Sequence, residues 1–451
     1  MRGTVLVGAG PTGLGAAYRL HERGETDFEV FERAGHIGGL ATSFHDAKGY
    51  TWDVSGHIIF SGYPYFNAFL EKMLGKDGIR RIDRESWIKF QDRYVRYPFQ
   101  NHLSSLPEEA MLECLIGLVE SQTIDRDRAY KNFEEWILAR FGAGVAKHFM
   151  VPYNQKVWAT PLTRMGFYWI AERVAVVDWK KALEASLTSK VSDWGPNATF
   201  GYPATRGTVG LWLAVLPYLG DRVRLNKRVA CVDEEKREIL FSDGSTRAYD
   251  RLCSTLPLTA LVRRLRHVPE RVRQAAGRLL FNRLFSVGVG LKRPAPSTKN
   301  WIYFPDPATP FYRITYLSNY SPDIVPRGDT SRHSSILTET TYSASRPLPR
   351  GDFVRAVLDG LVREQILASS DLDLVESTYL IHAGHAYPVP SADRDEALGV
   401  LQEYLESREI YSRGRFGAWK YEVGNQDHSF MQGVELVDRW LDGTEERVFR
   451  A

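Results

Sequence analysis

The chain opens on an apolar run, Thr4 to Val7, that breaks into Gly8, Gly10 and Gly13 and continues as AAYRLHERG. An apolar run that passes into a 3.6-residue period predicts a strand turning straight into a helix, which closes near Gly24. FEVF, Phe28 to Phe31, predicts a second strand ending at Glu32, and alternation around Trp52 predicts another. From Ser105 to about Trp158 the period is helical. Ser105 with Glu108 and Asn132 with Glu135 read as N-caps with their partners, and Gly142 as a stop. FYWIAER, Phe167 to Arg173, predicts a further helix start. From Arg222 to Thr255 the pattern is strand, strand and hairpin, with Asp243 and Gly244 at the turn, and such a pair returns the chain to its first sheet. Phe281 to Leu291 and Ser334 to Thr341 predict strands of a second sheet, with a segment between them too aromatic for a simple loop. Helices are predicted over Asp352 to Ala368, Asp395 to Glu406, and His428 to about Leu441, with Gly443 as the last stop.

The glycine spacing carries the first chemistry. Gly8 permits a tight turn, Gly10 lets backbone approach a pyrophosphate, and Gly13 lets the helix lie close on the strand. The helix start presents unpaired N–H groups to an anion. Glu32 follows Gly13 by 19 residues, the place from which a carboxylate takes ribose hydroxyls in a dinucleotide fold. Gly38 and Gly39 then allow a second close approach. The order of glycine loop, acidic strand end and glycine pair resembles the flavoprotein version of this fold, with FAD as the dinucleotide. The C-terminal block adds Gly414, Gly417 and Gly424, amides and a helix start, so the two chain ends are expected to share one cofactor.

The fold class that follows is α/β: a Rossmann-type FAD-binding domain with an inserted helical domain and an antiparallel β-sheet substrate domain. The expected divisions are 1–100, the first part of the FAD domain; 101–195, helical; 196–255, the return to the FAD domain with its hairpin; 256–390, mainly sheet; and 391–451, the C-terminal FAD segment and helix.

Composition changes this picture little. With 43% hydrophobic and 25% charged residues and a mean hydropathy of −0.31, the chain reads as an ordinary enzyme. A net charge of +3 is too small to argue for nucleic acid or a membrane surface, and neither is expected as a partner. Three cysteines without CxxC spacing indicate neither a disulfide framework nor a zinc site. A reducing, cytoplasmic setting is expected, with no signal or membrane-spanning segment.

The segments GAGPTGLGAA, SGHIIFS, YPFQN, FMVPYNQKVW, ERVA, WGPNATF, FYRITYLSNYSP, GHAYPVP and SRGRFGAWKYEVGNQDHSFMQGVE resemble, in the same order, those of the UDP-galactopyranose mutase family, most closely its eukaryotic type. The resemblance spans almost the whole chain and lies mostly outside the FAD fingerprint. It implies an FAD enzyme that interconverts UDP-galactopyranose and UDP-galactofuranose, an isomerisation without net redox change. In that family reduced flavin is the catalyst, through a covalent adduct between its N5 and the sugar, and NADPH or NADH is the implied electron donor.

Residue by residue, Arg173 and Arg313 match the arginines that hold the pyrophosphate, and Tyr387 and Tyr421 the tyrosines that donate to it. Asn197 matches a residue near the sugar. Tyr97, Gln100, Phe149 and Asn154 match the uridine end, where a base can stack on Tyr97 or Phe149. Trp301 and Tyr303 match the wall beside galactose, while Trp158 is either site-lining or core. A lone histidine is ordinarily structural, but His57 matches the one whose loop lies against the isoalloxazine. Arg415, Asn425 and Gln426 match the C-terminal flavin and substrate edge, and Val229 is assigned to the cofactor.

The chain departs from the family where Ser55 precedes Gly56 and His57 in place of the usual Gly-Gly-His, where Gly62 stands for a further histidine that handles NADPH, and at Thr205, Arg206 and Val209 in a glycine run. It is also shorter than typical eukaryotic members, which fits a bacterial enzyme of that type. The partner implied is a UDP-sugar, and assembly into a homo-oligomer stays open. A mutase of the same mechanism on another nucleotide sugar, a flavin oxidase of the amine-oxidase type, and a non-catalytic flavoprotein are the other readings.

Overall fold

The computed structural model describes residues 3–124, 129–170, 178–188 and 198–450. β1 (Gly3–Val7) pairs parallel with β2 (Phe28–Phe31) on one side and with the strand Thr246–Ser254 on the other. Ile410–Ser412 pairs parallel along the far side of Thr246–Ser254, and the strands Val229–Asp233 and Glu238–Phe241 extend the sheet antiparallel. Val5, Leu6 and Val7 are all buried. A parallel strand covered on both faces has no polar side to show, which is why β1 reads as an unbroken apolar run. The hairpin turns at Asp243 and Gly244, where Gly244 takes φ +83°, and it returns the chain to the first sheet.

α1 (Pro11–Glu22) leads directly out of β1 and packs on the C-terminal helix Gln426–Asp442. The two backbones nearly touch: a Cβ on Gly433 would lie 2.1 Å from Thr12 O, and one on Gly15 2.6 Å from Phe430 O. Arg19 pairs with Asp438 at 2.8 Å and Arg23 with Asp442 at 2.7 Å along the edge of this contact. Beyond Ile410–Ser412, the wholly buried Arg413 bonds Glu446 at 2.5 Å and Glu406 at 2.6 Å. The beginning and end of the chain thus build one layered domain.

The second sheet runs in the order Val375–Ala383, Arg283–Leu291, Ser334–Tyr342, Arg313–Thr315, Trp301–Tyr303, Ser86–Phe90, Arg93–Arg96. The last two strands lie before residue 100 but belong here, because Ser86–Phe90 pairs with the open edge of Trp301–Tyr303, Ser86 opposite Trp301. The helix Phe353–Arg363 helps seal one face of this sheet, and the other shares an apolar cluster with the helical part.

In the helical part, Glu108–Glu120 and Phe133–Val145 meet at glycines; a Cβ on Gly142 would lie 2.0 Å from Gly117 O. Gly142, at φ +73°, interrupts its helix without ending it. The chain resumes to Val145, makes a π-turn over Ala146–Met150 and forms Val151–Trp158. Asn132 caps as expected, accepting from Glu135 N–H at 2.9 Å. Ser105 does not cap. Pro107 occupies the N-cap with φ −56° and ψ 146°, and a proline steers the residue before it away from helix, so the helix starts at Glu108. Phe167 to Ile170 is a turn rather than a helix, held where Gly166 N–H bonds Pro390 O at 2.8 Å and Trp169 Nε1 donates back to Gly166 O at 2.8 Å.

Candidate active site

The cofactor cradle is built from backbone. Gly8 stands at φ +105°, and a Cβ on Gly13 would fall 1.9 Å from Gly8 O, so only glycine lets α1 seat on the turn. Gly10 is the N-cap of α1 and makes no side-chain cap, which leaves the first-turn N–H groups for an anion. Gly38 N–H bonds Ala9 O at 2.8 Å. Gly39, at φ +56°, comes so near that its Cβ would lie 3.2 Å from Gly10 Cα. Glu32 Oε2 accepts from Ala9 N–H and Oε1 from Ala34 N–H, both at 2.9 Å. The carboxylate therefore fixes the glycine loop, and its remaining lone pairs are what a ribose could use. Lys227 N–H bonds Glu32 O at 2.7 Å, which brings the start of the strand Val229–Asp233 close to Glu32; Val229 is buried. Side-chain-free contacts at Gly10 and Gly39 over an uncapped helix start fit a dinucleotide pyrophosphate.

Where the first domain meets the second sheet, one buried carboxylate gathers the polar groups. Glu339, fully buried in Ser334–Tyr342, receives Arg313 Nε on Oε1 at 2.8 Å and Nη2 on Oε2 at 2.9 Å. Ser55 Oγ (2.9 Å), Tyr312 Oη (2.5 Å) and Gly56 N–H (3.1 Å) also donate to it. Burial pushes its pKa up, but the Arg313 charge and these donors outweigh burial and hold it below the usual carboxylate value. Arg313 Nη1 makes no hydrogen bond among the described residues. His57 donates its backbone N–H to Ser55 O at 2.7 Å, and its Nδ1 lies 2.9 Å from the same oxygen. A carbonyl only accepts, so Nδ1 carries the proton. Burial lowers the His57 pKa, opposed by Asp53 and Glu339 and assisted by Arg415 and Arg313, so the ring is neutral at pH 7.

Aromatic rings line the cleft on the sheet side. Tyr97 and Tyr303 lie 5.2 Å apart, as do Tyr153 and Tyr303. Arg84 sits 5.1 Å from the Tyr97 ring and 5.2 Å from that of Trp301. Phe149, only 2% exposed, is stacked between Phe99 and Tyr153 at 5.0 Å each, whereas Tyr97 and Tyr153 are half-buried and keep some exposed surface. Gln100 is buried next to Phe99. Asn154 donates to Met150 O at 2.7 Å and accepts from Trp158 Nε1 at 3.2 Å, holding its own helix. Trp158 proves to be core: 1% exposed, it is the floor under Tyr421 (4.8 Å) and Tyr387 (6.0 Å).

Tyr387 and Tyr421 converge at 5.9 Å, and the Arg415 guanidinium lies 4.9 and 5.7 Å from their rings. Arg415 is itself tied to Ala386 O at 3.1 Å and Gly424 O at 2.9 Å. Asn425 is the N-cap of the C-terminal helix, whereas Gln426 Oε1 is taken by Trp212 Nε1 at 3.1 Å, on the apolar side of that helix. Arg173 and Asn197 lie outside the described residues.

The sequence reading did not single out Glu339, Ser55 through its hydroxyl, Tyr312, Tyr320, Tyr153 or Arg84. Tyr320 is 1% exposed and its hydroxyl has no partner among the described residues, as is also true of Trp301 Nε1. Glu339 left a signal, a single charge within a strand of otherwise buried type, which demands a paired partner.

Residues 11–364 match the family described as flavin containing amine oxidoreductase. Fold and cradle together thus define a flavoprotein of the amine-oxidase class. A solved structure described as reduced UDP-galactopyranose mutase shares 38% identity with the chain, covering 100% of it and 96% of that protein, with a TM-score of 0.95. The chain belongs to the flavin containing amine oxidoreductases and, among them, to the UDP-galactopyranose mutase family. A putative protoporphyrinogen oxidase from Exiguobacterium sp. 255-15 (15% identity, TM-score 0.69, 97% of this chain and 98% of that one) and a putrescine oxidase (13%, 0.66, 97% and 98%) share the fold. A Baeyer-Villiger monooxygenase of Streptomyces coelicolor (strain ATCC BAA-471 / A3(2) / M145) is 36% identical over 96 residues, and this match spans only 18% of either chain. No helix among the described residues is long and apolar enough to cross a membrane.

Proposed function

We propose that the chain is an FAD-dependent mutase interconverting UDP-galactopyranose and UDP-galactofuranose. The observation that supports it best is Arg313, held by Glu339 through Nε and Nη2 beside two converging tyrosines, with Nη1 left for a diphosphate. Bound and reduced, FAD supplies the nucleophilic chemistry at the anomeric carbon. The chain's own residues do the rest. Arg313, with Arg173, keeps UDP in place both while it is bonded to the sugar and while it is free, each charge-assisted hydrogen bond contributing about 1.5–3 kcal/mol. Tyr387 and Tyr421 donate to the same phosphates, and Tyr387 must then turn its hydroxyl from Tyr312 Oη, 3.1 Å away. Tyr97 and Gln100 receive the base, while Asn197, Trp301 and Tyr303 border the sugar. His57, its ring neutral, would border the isoalloxazine without adding a charge there. The electron donor that would reduce the bound flavin is NADPH or NADH.

The test is conversion of UDP-galactofuranose to UDP-galactopyranose by the dithionite-reduced holoprotein, followed by chromatography. Absence of conversion with reduced flavin bound overturns the proposal. Other nucleotide sugars run alongside decide the substrate, and oxygen consumption with amines would indicate an oxidase instead.

A further inference from the structure

The polar atoms behind Arg313 form one continuous path. The His57 backbone N–H and Nδ1–H both end on Ser55 O. Ser55 Oγ–H donates to Glu339 Oε2 at 2.9 Å, and the same oxygen accepts from Arg313 Nη2 at 3.2 Å. Glu339 accepts from Tyr312, whose hydroxyl meets that of Tyr387 at 3.1 Å. Ser55 therefore serves both sides: its carbonyl sets the tautomer and angle of the histidine, and its hydroxyl bridges the two members of the ion pair. Gly56 N–H supplies only a backbone link to Glu339, and a side chain there is barred, since its Cβ would lie 2.5 Å from Thr315 Oγ1. Among the described residues no other side chain hydrogen-bonds the His57 loop to the Arg313–Glu339 pair.

We propose that Ser55 is a positioning residue that couples diphosphate binding at Arg313 to the state of the His57 loop; the mutase reading enters only in taking UDP as the anion. A diphosphate at Nη1 competes with Glu339 for the guanidinium. Because Ser55 Oγ bonds both partners, a shift in their separation moves Ser55, and its carbonyl carries the His57 ring with it. The coupling is reciprocal: the factor by which diphosphate shifts the loop between two states is the factor by which those states differ in diphosphate affinity.

The experiment uses FAD-loaded wild type, Ser55→Ala and Ser55→Thr, with flavin content and thermal midpoint recorded for each. UDP is titrated while the flavin spectrum and the heat of binding are followed, and turnover of UDP-galactofuranose by the reduced protein is measured in parallel. Wild type is expected to show a UDP-induced flavin difference spectrum. Ser55→Ala is expected to lose it and to bind UDP about tenfold more weakly, about 1.4 kcal/mol. Ser55→Thr, which restores the hydroxyl, should recover both. A wild-type flavin that ignores UDP, a Ser55→Ala protein with wild-type spectrum and affinity, or a Thr variant as defective as Ala each overturns the coupling. Failure of wild-type turnover with the UDP response intact and lost in Ser55→Ala would instead remove the mutase reading and leave the coupling standing.

Discussion

Replacing Glu339 by glutamine tests the electrostatics of the site directly. The substitution keeps the shape and removes the only carboxylate that pairs with Arg313 among the described residues. It also forces a donor into the wrong place. The new amide nitrogen must face either Arg313 Nε and Gly56 N–H, or Arg313 Nη2, Tyr312 Oη and Ser55 Oγ. Removing one partner of a buried ion pair costs about 3–5 kcal/mol, because the other charge stays behind without compensation. Glu339 is fully buried and Arg313 largely so, so the upper half of that range applies. A diphosphate brings its own negative charge to the stranded guanidinium, which recovers part of the loss in the complex. The variant is therefore expected to be less stable by several kcal/mol when free, yet to bind UDP at least as tightly as wild type and to gain more thermal stability from it. Turnover should fall steeply, since the arginine is no longer held in place. Urea unfolding with and without UDP, together with calorimetric titration, measures both halves. The pH dependence adds a check. A carboxylate held below its usual pKa contributes stability above about pH 4.3 that is lost as pH falls through its folded pKa, and the variant should lack that acid loss. UDP affinity that drops in parallel with stability would refute the counter-charge argument.

Three further outcomes follow from the packing. Gly13→Val should abolish flavin binding, because even a Cβ at this position meets Gly8 O at 1.9 Å; a normal absorbance near 450 nm per protein would refute it. Arg394 is 2% exposed and grips Glu422 at 2.6 and 2.8 Å, next to Tyr421. Arg394→Met should raise the KM for the UDP-sugar about tenfold with flavin content unchanged, read by steady-state kinetics, and an unaltered KM would show that the pair does not hold Tyr421. His385 lies flat on Phe281 at 4.2 Å, and burial, with Arg263, Arg283 and Arg33 nearby, pushes its pKa down to about 4. Between pH 6.5 and 4 the unfolded chain takes a proton the folded chain refuses, so stability falls as pH drops. In His385→Asn the gap between urea midpoints at pH 7 and pH 5 should narrow.

The parts of this protein that could be read from sequence are those where one backbone demand selects one residue. Gly8, Gly13 and the Asp243–Gly244 turn are of this kind, and Glu32 lies at a fixed interval from them. The members of the site that escaped notice depend on register between distant segments. Nothing local in SSILTETTY says that its glutamate faces an arginine from another strand, nor that Ser86 lies beside Trp301. Of the helix start expected over Phe167 to Arg173, residues 171–173 lie outside the described residues and Phe167 to Ile170 form a turn, because four apolar residues satisfy a helical period whether or not tertiary hydrogen bonds, here those of Gly166 and Trp169, bend them otherwise. Trp158 could be sorted into core only once its neighbours Trp169 and Tyr421 were placed.

The near-contact of α1 with Gln426–Asp442 has a consequence for how the protein is made. The glycine loop leaves the ribosome long before the helix that covers α1 and the strand that extends its sheet. Until they follow, the apolar face that α1 turns to Gln426–Asp442 lacks its cover. Flavin uptake is accordingly a late event. A product ending before Gln426 should be colourless and a target for proteolysis, which makes the yellow colour of a preparation a measure of chains synthesised through to their last long helix.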